Sequence, residues 1–145
     1  MRSLLLVALS SLAGCNNDLE PEQAAELFAR IQADDYRQWA RAPGFETRQP
    51  SNTAHADRVD IYVNATVDEA LRGAPLGAWP VGSLIVKDGF DRDDELELIA
   101  VMEKRPDGWF WAEYFDGDSR SSGKPDLCLD CHARGDDYVR SFDLP

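Results

Sequence analysis

The 145-residue chain carries 27 acidic against 15 basic side chains, a formal net charge of −12 at pH 7. Such a surface repels nucleic acid and anionic head groups, which excludes an electrostatic nucleic-acid binder and favours a basic protein partner. The length suits one domain with its own core, and no internal repeat or long low-complexity tract divides it.

At the N-terminus Arg2 precedes an apolar run, Leu4 to Leu12, that leads into Leu12-Ala13-Gly14-Cys15. The run is too short to span a bilayer as a helix, and the small residues before Cys15 suit cleavage in front of a lipidated cysteine. Residues 1–14 are therefore read as a lipoprotein signal peptide and 15–20 as a lipidated tether. Acyl chains on Cys15 would hold the protein on a membrane surface. The alternative is an ordinary cleaved signal that leaves Cys15 as a free thiol. The localisation read from this segment is the bacterial cell envelope, lipid-anchored and facing the periplasm or the exterior.

Pro21 suits the first turn of a helix, and Glu22 to Ala40 places Leu27, Phe28 and Ile31 on one stripe, then Tyr36 and Trp39. The pattern predicts one helix or two short ones. Arg41 to Asp57, rich in Pro, Gly, Asn and Thr, reads as a long loop. Val59–Val63 alternates like a strand, Val67–Leu71 like a helical turn or two, and Val81–Val86 is apolar and β-branched enough for a strand. In Glu95–Lys104, Leu96, Leu98, Ala100 and Met102 share one face; Glu95, Glu97, Ile99, Val101 and Glu103 share the other. Pro106-Asp107-Gly108 supplies a turn into Trp109–Phe115, so these segments should pair as a hairpin. Ser119–Asp126 reads as a loop. The fold class is α+β: an N-terminal helix, then a small antiparallel sheet, with a cysteine motif near the C-terminus.

That motif is Cys128-Leu129-Asp130-Cys131-His132, the attachment sequence of haem c. Two thiols three residues apart lie on one face of a helical turn, where they can add to two vinyl groups, while the next imidazole reaches the iron. A disulfide loop or half a zinc site are the alternatives. A zinc site needs a second ligand pair, and only His55 and Cys15 remain. Lys87 is in phase with Val81, Ser83 and Ile85, and from the residues alone reads as a solvated strand-end lysine.

The order of elements departs from the helical cytochromes, which carry this motif early or in a four-helix bundle. Instead the chain resembles the cytochrome P-460 family and its β-rich cytochrome c′ relatives. The resemblance runs through Tyr36-Arg37-Gln38-Trp39, Ile61-Tyr62-Val63-Asn64 and Trp79-Pro80-Val81-Gly82-Ser83-Leu84-Ile85-Val86-Lys87. It continues through Val101-Met102-Glu103-Lys104, Gly108-Trp109, the cysteine motif and Asp137-Tyr138-Val139.

The resemblance implies a haem domain over residues 21–145, commonly a homodimer, that oxidises hydroxylamine to nitrogen oxides. Relatives bind nitric oxide without turnover, and a monohaem electron carrier is the third reading. The lysine that P-460 cytochromes join to the porphyrin edge matches Lys87. His132 becomes the axial ligand, with the other iron face open to a small nitrogenous substrate or gas ligand. His55 and Met102 are candidate sixth ligands, read respectively as a surface residue and as core. For the family's distal acid the candidates are Glu97, sharing a face with Glu95, and Arg58 is a candidate donor to a bound nitrogen oxide. Phe90, Phe110 and Phe115 are candidates for the apolar wall of the gas-binding relatives.

Overall fold

The computed structural model describes residues 17–145. The expected signal peptide, residues 1–14, and Cys15 lie outside the described residues. Helix α1, Pro21–Ala33, opens on its proline and buries Ala24, Leu27 and Ile31, one stripe at helical spacing. Asp35 in the left-handed region (φ 46°) breaks it from a short 3₁₀ turn, Tyr36–Gln38, so the apolar pattern is two pieces. Strands β1 (Ala40–Arg41) and β2 (Gln49–Pro50) interrupt the segment expected to be loop, both pairing with β3, Arg58–Val63. Asn64 caps α2, Ala65–Leu71, its side-chain oxygen accepting from the Val67 N–H.

Four longer strands follow: β4 (Leu84–Phe90), β5 (Leu96–Arg105), β6 (Gly108–Phe115) and β7 (Asp118–Gly123). The sheet is antiparallel throughout, in the order β1-β3-β4-β5-β6-β7, and helix α3, Asp126–His132, comes last. The architecture is mixed α+β and mostly β.

Two expectations are corrected. Strand β4 begins after the expected Val81 and runs on to Phe90, because Pro80 to Ser83 forms a turn with Gly82 at φ 92°, leaving Val81 58% exposed. That shift moves Lys87 from a strand end to a strand interior. The serine-rich segment expected as a loop is β7, turned out of β6 by Asp116 (φ 52°) and Gly117 (φ 86°), the left-handed pair that favours a tight hairpin.

Both faces of the sheet are covered, which explains why the strands read as near-continuous apolar runs. One face carries Tyr62, Leu84, Val86, Ile99, Val101, Phe110, Ala112 and Tyr114 and packs under α1. There the Tyr114 hydroxyl donates to the Ala24 carbonyl at 2.7 Å, fixing α1 across β6. The opposite face carries Val59, Ile61, Val63, Ile85, Met102, Trp109 and Trp111 and packs under α2 and the C-terminal tail through Trp79, Val139 and Phe142. Sheet pairing thus divides each strand's residues between two cores.

A candidate haem cleft under the C-terminal helix

Strand register builds a floor on the tail-facing side. Ile61, Lys87, Ala100, Glu113 and Ser121 stand opposite one another across five strands. The next row is Val63, Ile85, Met102, Trp111 and Gly123. Directly paired residues project to the same side, so Lys87 and Glu113 come up beside Ile85, Met102 and Trp111. Above this floor lies a cleft roofed by Cys128, Cys131, His132, Val139 and Arg140, with Ala54 and His55 at one rim and Leu127 at another. A second compartment continues from it beneath residues 50–55 and shares His55, Lys87, His132 and Arg140.

The roof is oriented by an unusual loop. Asp137 (φ 45°) and Tyr138 (φ 68°) are consecutive left-handed residues, and a Cβ at Gly135 would collide with the Val139 carbonyl. Each such conformation costs of order 1 kcal/mol and survives only where the surroundings impose it. Here Lys104 Nζ lies 2.8 Å from both Asp137 carboxylate oxygens, the Trp79 N–H donates to that carboxylate at 2.8 Å, and Trp109 Nε1 donates to the Asp137 carbonyl at 2.7 Å. The neighbouring Tyr138 carbonyl is thereby aimed at His132 Nδ1, 2.9 Å away. That contact fixes the imidazole's orientation and leaves Nε2 as the nitrogen able to bind a metal.

The electrostatics follow from burial. Burial pushes the Lys87 ammonium down to about 8, with the Arg140 charge adding to it. Burial also holds His132 below the usual imidazole value, assisted by Lys87, His55 and Arg140. The Cys128 thiol is pushed up to about 11 by burial and then by Glu113, whereas Cys131 is exposed and accepts from Arg140 Nη1 at 3.0 Å. His55 Nδ1 stands 2.9 Å from Glu113 Oε1, within ion-pair distance but without an aligned hydrogen bond. The loop holding His55 is pressed onto β4: a Cβ at Gly89 would come within 3.0 Å of Ala56 Cβ and the His55 carbonyl.

Cys128, Cys131, His132, Lys87 and His55 are therefore brought to one cleft. Met102 lies in its floor and is only 8% exposed, in keeping with its reading as core. Glu97 is not brought there: it is exposed and stands on the α1 side, near Phe28 and Arg37. It fails because strand alternation turns it away from the Ala100 face. Arg58 is also elsewhere, at the far end of β3, held by Asp94 at 3.0 Å and the Arg92 carbonyl at 2.7 Å. The expected phenylalanine wall is absent too. Phe110 is buried on the α1 face, Phe90 lies under the Arg48 guanidinium, and Phe115 does not line the cleft.

The acid and the aromatic that do line the cleft, Glu113 and Trp111, were missed. Their signal was present, since Glu113 is in phase with Trp109 and Trp111 and is the charged residue on that face of β6.

The residues fit haem c. The floor is apolar, both thiols project from one short helix, and the Tyr138 carbonyl at Nδ1 leaves His132 Nε2 to coordinate. Trp111 Nε1 is buried with no partner, as a donor facing a ligand would be. Among the described residues no cluster of three or more His, Cys, Asp or Glu side chains is arranged to hold a metal ion. Among the described residues no helix is long and apolar enough to cross a membrane. No protein-family model matches the chain, and no curated protein matches it.

Proposed function

We propose that the chain is a lipid-anchored haem c protein of the bacterial cell envelope that oxidises hydroxylamine, as cytochromes of the P-460 type do. The observation that carries this reading is the placement of Lys87 and Glu113 in one row beneath a helix bearing Cys128, Cys131 and His132. Cys128 and Cys131 would hold the macrocycle through thioethers and His132 would be its axial ligand. The haem supplies a redox-active iron able to take electrons from a bound nitrogen compound and pass them to a basic protein partner.

The chain's own residues supply the rest. Oxidising hydroxylamine releases as many protons as electrons, and a carboxylate inside the cleft is the group suited to accept them. Glu113 is that carboxylate, with His55 against it to carry a proton toward the rim. Ile85, Ala100, Met102 and Val139 keep bulk water from the reacting atoms. Lys87, pushed toward its neutral form by burial, would be the amine held against the porphyrin edge.

The same apolar lining favours a second reading, nitric oxide binding without turnover. Purified protein should keep its haem through acid-acetone extraction, show a displaced Soret band when reduced, and transfer electrons from hydroxylamine to an artificial acceptor. Loss of haem to the solvent would end the haem reading. An ordinary c-type spectrum with no hydroxylamine-dependent reduction would leave the binding reading in its place.

A further inference from the structure

The segment between the lipobox and α1 is built into the domain. Leu19 N–H donates to the Ser122 carbonyl at 3.1 Å and Ser122 N–H donates to the Asn17 carbonyl at 2.9 Å, with Asp18 and Ser122 forming a parallel bridge. Side chains double the attachment. Ser119 Oγ donates to Asp18 at 2.6 Å, the fully buried Ser122 hydroxyl donates to Asp18 as well, and Glu20 N–H donates to Ser122 Oγ at 2.8 Å. Glu20 then leads directly into α1. Asn17–Glu20 therefore acts as one more short strand covering the outer edge of β7.

One residue, Asn16, separates Cys15 from Asn17. Two peptide units reach at most about 7 Å, far too little for a stalk that lets a domain tumble freely. An acyl anchor on Cys15 would hold the β7 edge itself at the bilayer. The side chains available there suit that position: Leu19 is apolar and 55% exposed, and Arg120 on β7 is exposed and basic. At the other end of the sheet, β1 and β2 stand five strand spacings away, about 24 Å.

We propose that the β7 edge, with Asn17–Glu20 along it, is a lipid-facing surface that holds the domain edge-on against the bilayer. This rests on the lipidation of Cys15 proposed above. Leu19 sits at the level of the head groups, and the edge formed by β1 and β2 faces the aqueous compartment. The net negative charge of the chain repels anionic head groups, so attachment comes from the acyl chains and the apolar contact rather than from charge.

Hydroxyl-radical footprinting tests this by comparing acylated, haem-loaded protein in phosphatidylcholine vesicles with the soluble Cys15→Ser variant. Labelling of Leu19 should fall several-fold in vesicles, while Phe45 and Pro50 at the far edge label equally in both. Inserting a Gly/Ser spacer of about twelve residues between Cys15 and Asn16, with a reach of about 19 Å, should restore soluble-rate labelling of Leu19 without releasing the protein. Equal Leu19 labelling of acylated and soluble protein overturns the orientation alone. An intact mass showing no acyl chains on Cys15 overturns it together with its premise.

Discussion

Replacing Asp137 by Asn tests whether the largely buried ion pair holds His132, the proposed axial ligand, in place. Asn keeps the size, the tolerance for the left-handed backbone and an oxygen for the Trp79 N–H, so the change isolates the charge facing Lys104. The two side chains are each 14% exposed and 2.8 Å apart. Removing one partner of a well-buried pair costs about 3–5 kcal/mol because the other charge stays desolvated, and the residual exposure here argues for the lower end, about 3 kcal/mol. For a domain of this size that is a fall in Tm of about 10 °C. Circular dichroism of the haem-loaded protein in guanidinium and on heating measures it. Lys104→Met in the Asp137→Asn background should recover more than about 1 kcal/mol, since the stranded ammonium is gone. The relaxed Tyr138 carbonyl should also weaken activity by about 10- to 100-fold, the usual effect of losing a ligand's orienting partner. An Asp137→Asn protein within about 0.5 kcal/mol of wild type, or a double variant no better than Asp137→Asn alone, refutes the reasoning.

Three further outcomes are expected. Glu113→Gln should lower hydroxylamine turnover by about 100-fold or more while haem content and the reduced spectrum stay unchanged; steady-state assays beside spectra decide it, and unaltered turnover removes Glu113 from proton transfer. Joining the amine to a ring carbon releases two protons and two electrons, so with a peroxide added as the two-electron oxidant the fraction of Lys87 linked to the macrocycle should rise at pH 8.5 over pH 6.5, because only the neutral amine is nucleophilic and burial pushes Lys87 down to about 8. Mass spectrometry of the haem peptide reads this, and Lys87→Arg, cationic at both pH values, should show no link. Gly89→Ala should destabilise by about 1–3 kcal/mol and displace the His55 loop, because its methyl meets backbone and side chain at 3.0 Å; a thermal scan with no shift would show that the loop yields freely.

Much of the architecture is legible in the residues. Pro21, the Leu27 and Ile31 stripe, the alternation of β5 and the turn at Asp107 each carry a local signal that tertiary structure leaves intact. Strand β7 hides because its serines are chosen by hydrogen bonding to Asn17 and Asp18, residues a hundred positions earlier in the chain. The cleft is legible in part for a related reason. Cys128, Cys131 and His132 stand in one turn, so spacing alone joins them. Lys87 and Glu113 meet only through the register of β4, β5 and β6, which no local pattern states. Glu97 and Glu113 are both acids in strands, and strand position alone does not tell the exposed acid on the α1 side from the one that lines the cleft.

The position of α3 at the end of the chain also sets an order in time. All strands of the sheet precede Cys128 and Cys131, so a chain exported N-terminus first, as the proposed envelope location requires, would deliver the cleft floor before the residues that roof it. The roof, α3 and the tail, joins β7 through Lys124-Pro125 and is tied to the body where Val139 and Phe142 enter the core and Leu76 N–H donates to the Pro145 carbonyl at 3.0 Å. On the proposed reading, the thiols that would take the cofactor lie on the last element of the chain to be delivered, and a chain shortened before Val139 should form its sheet yet leave the cleft open to solvent.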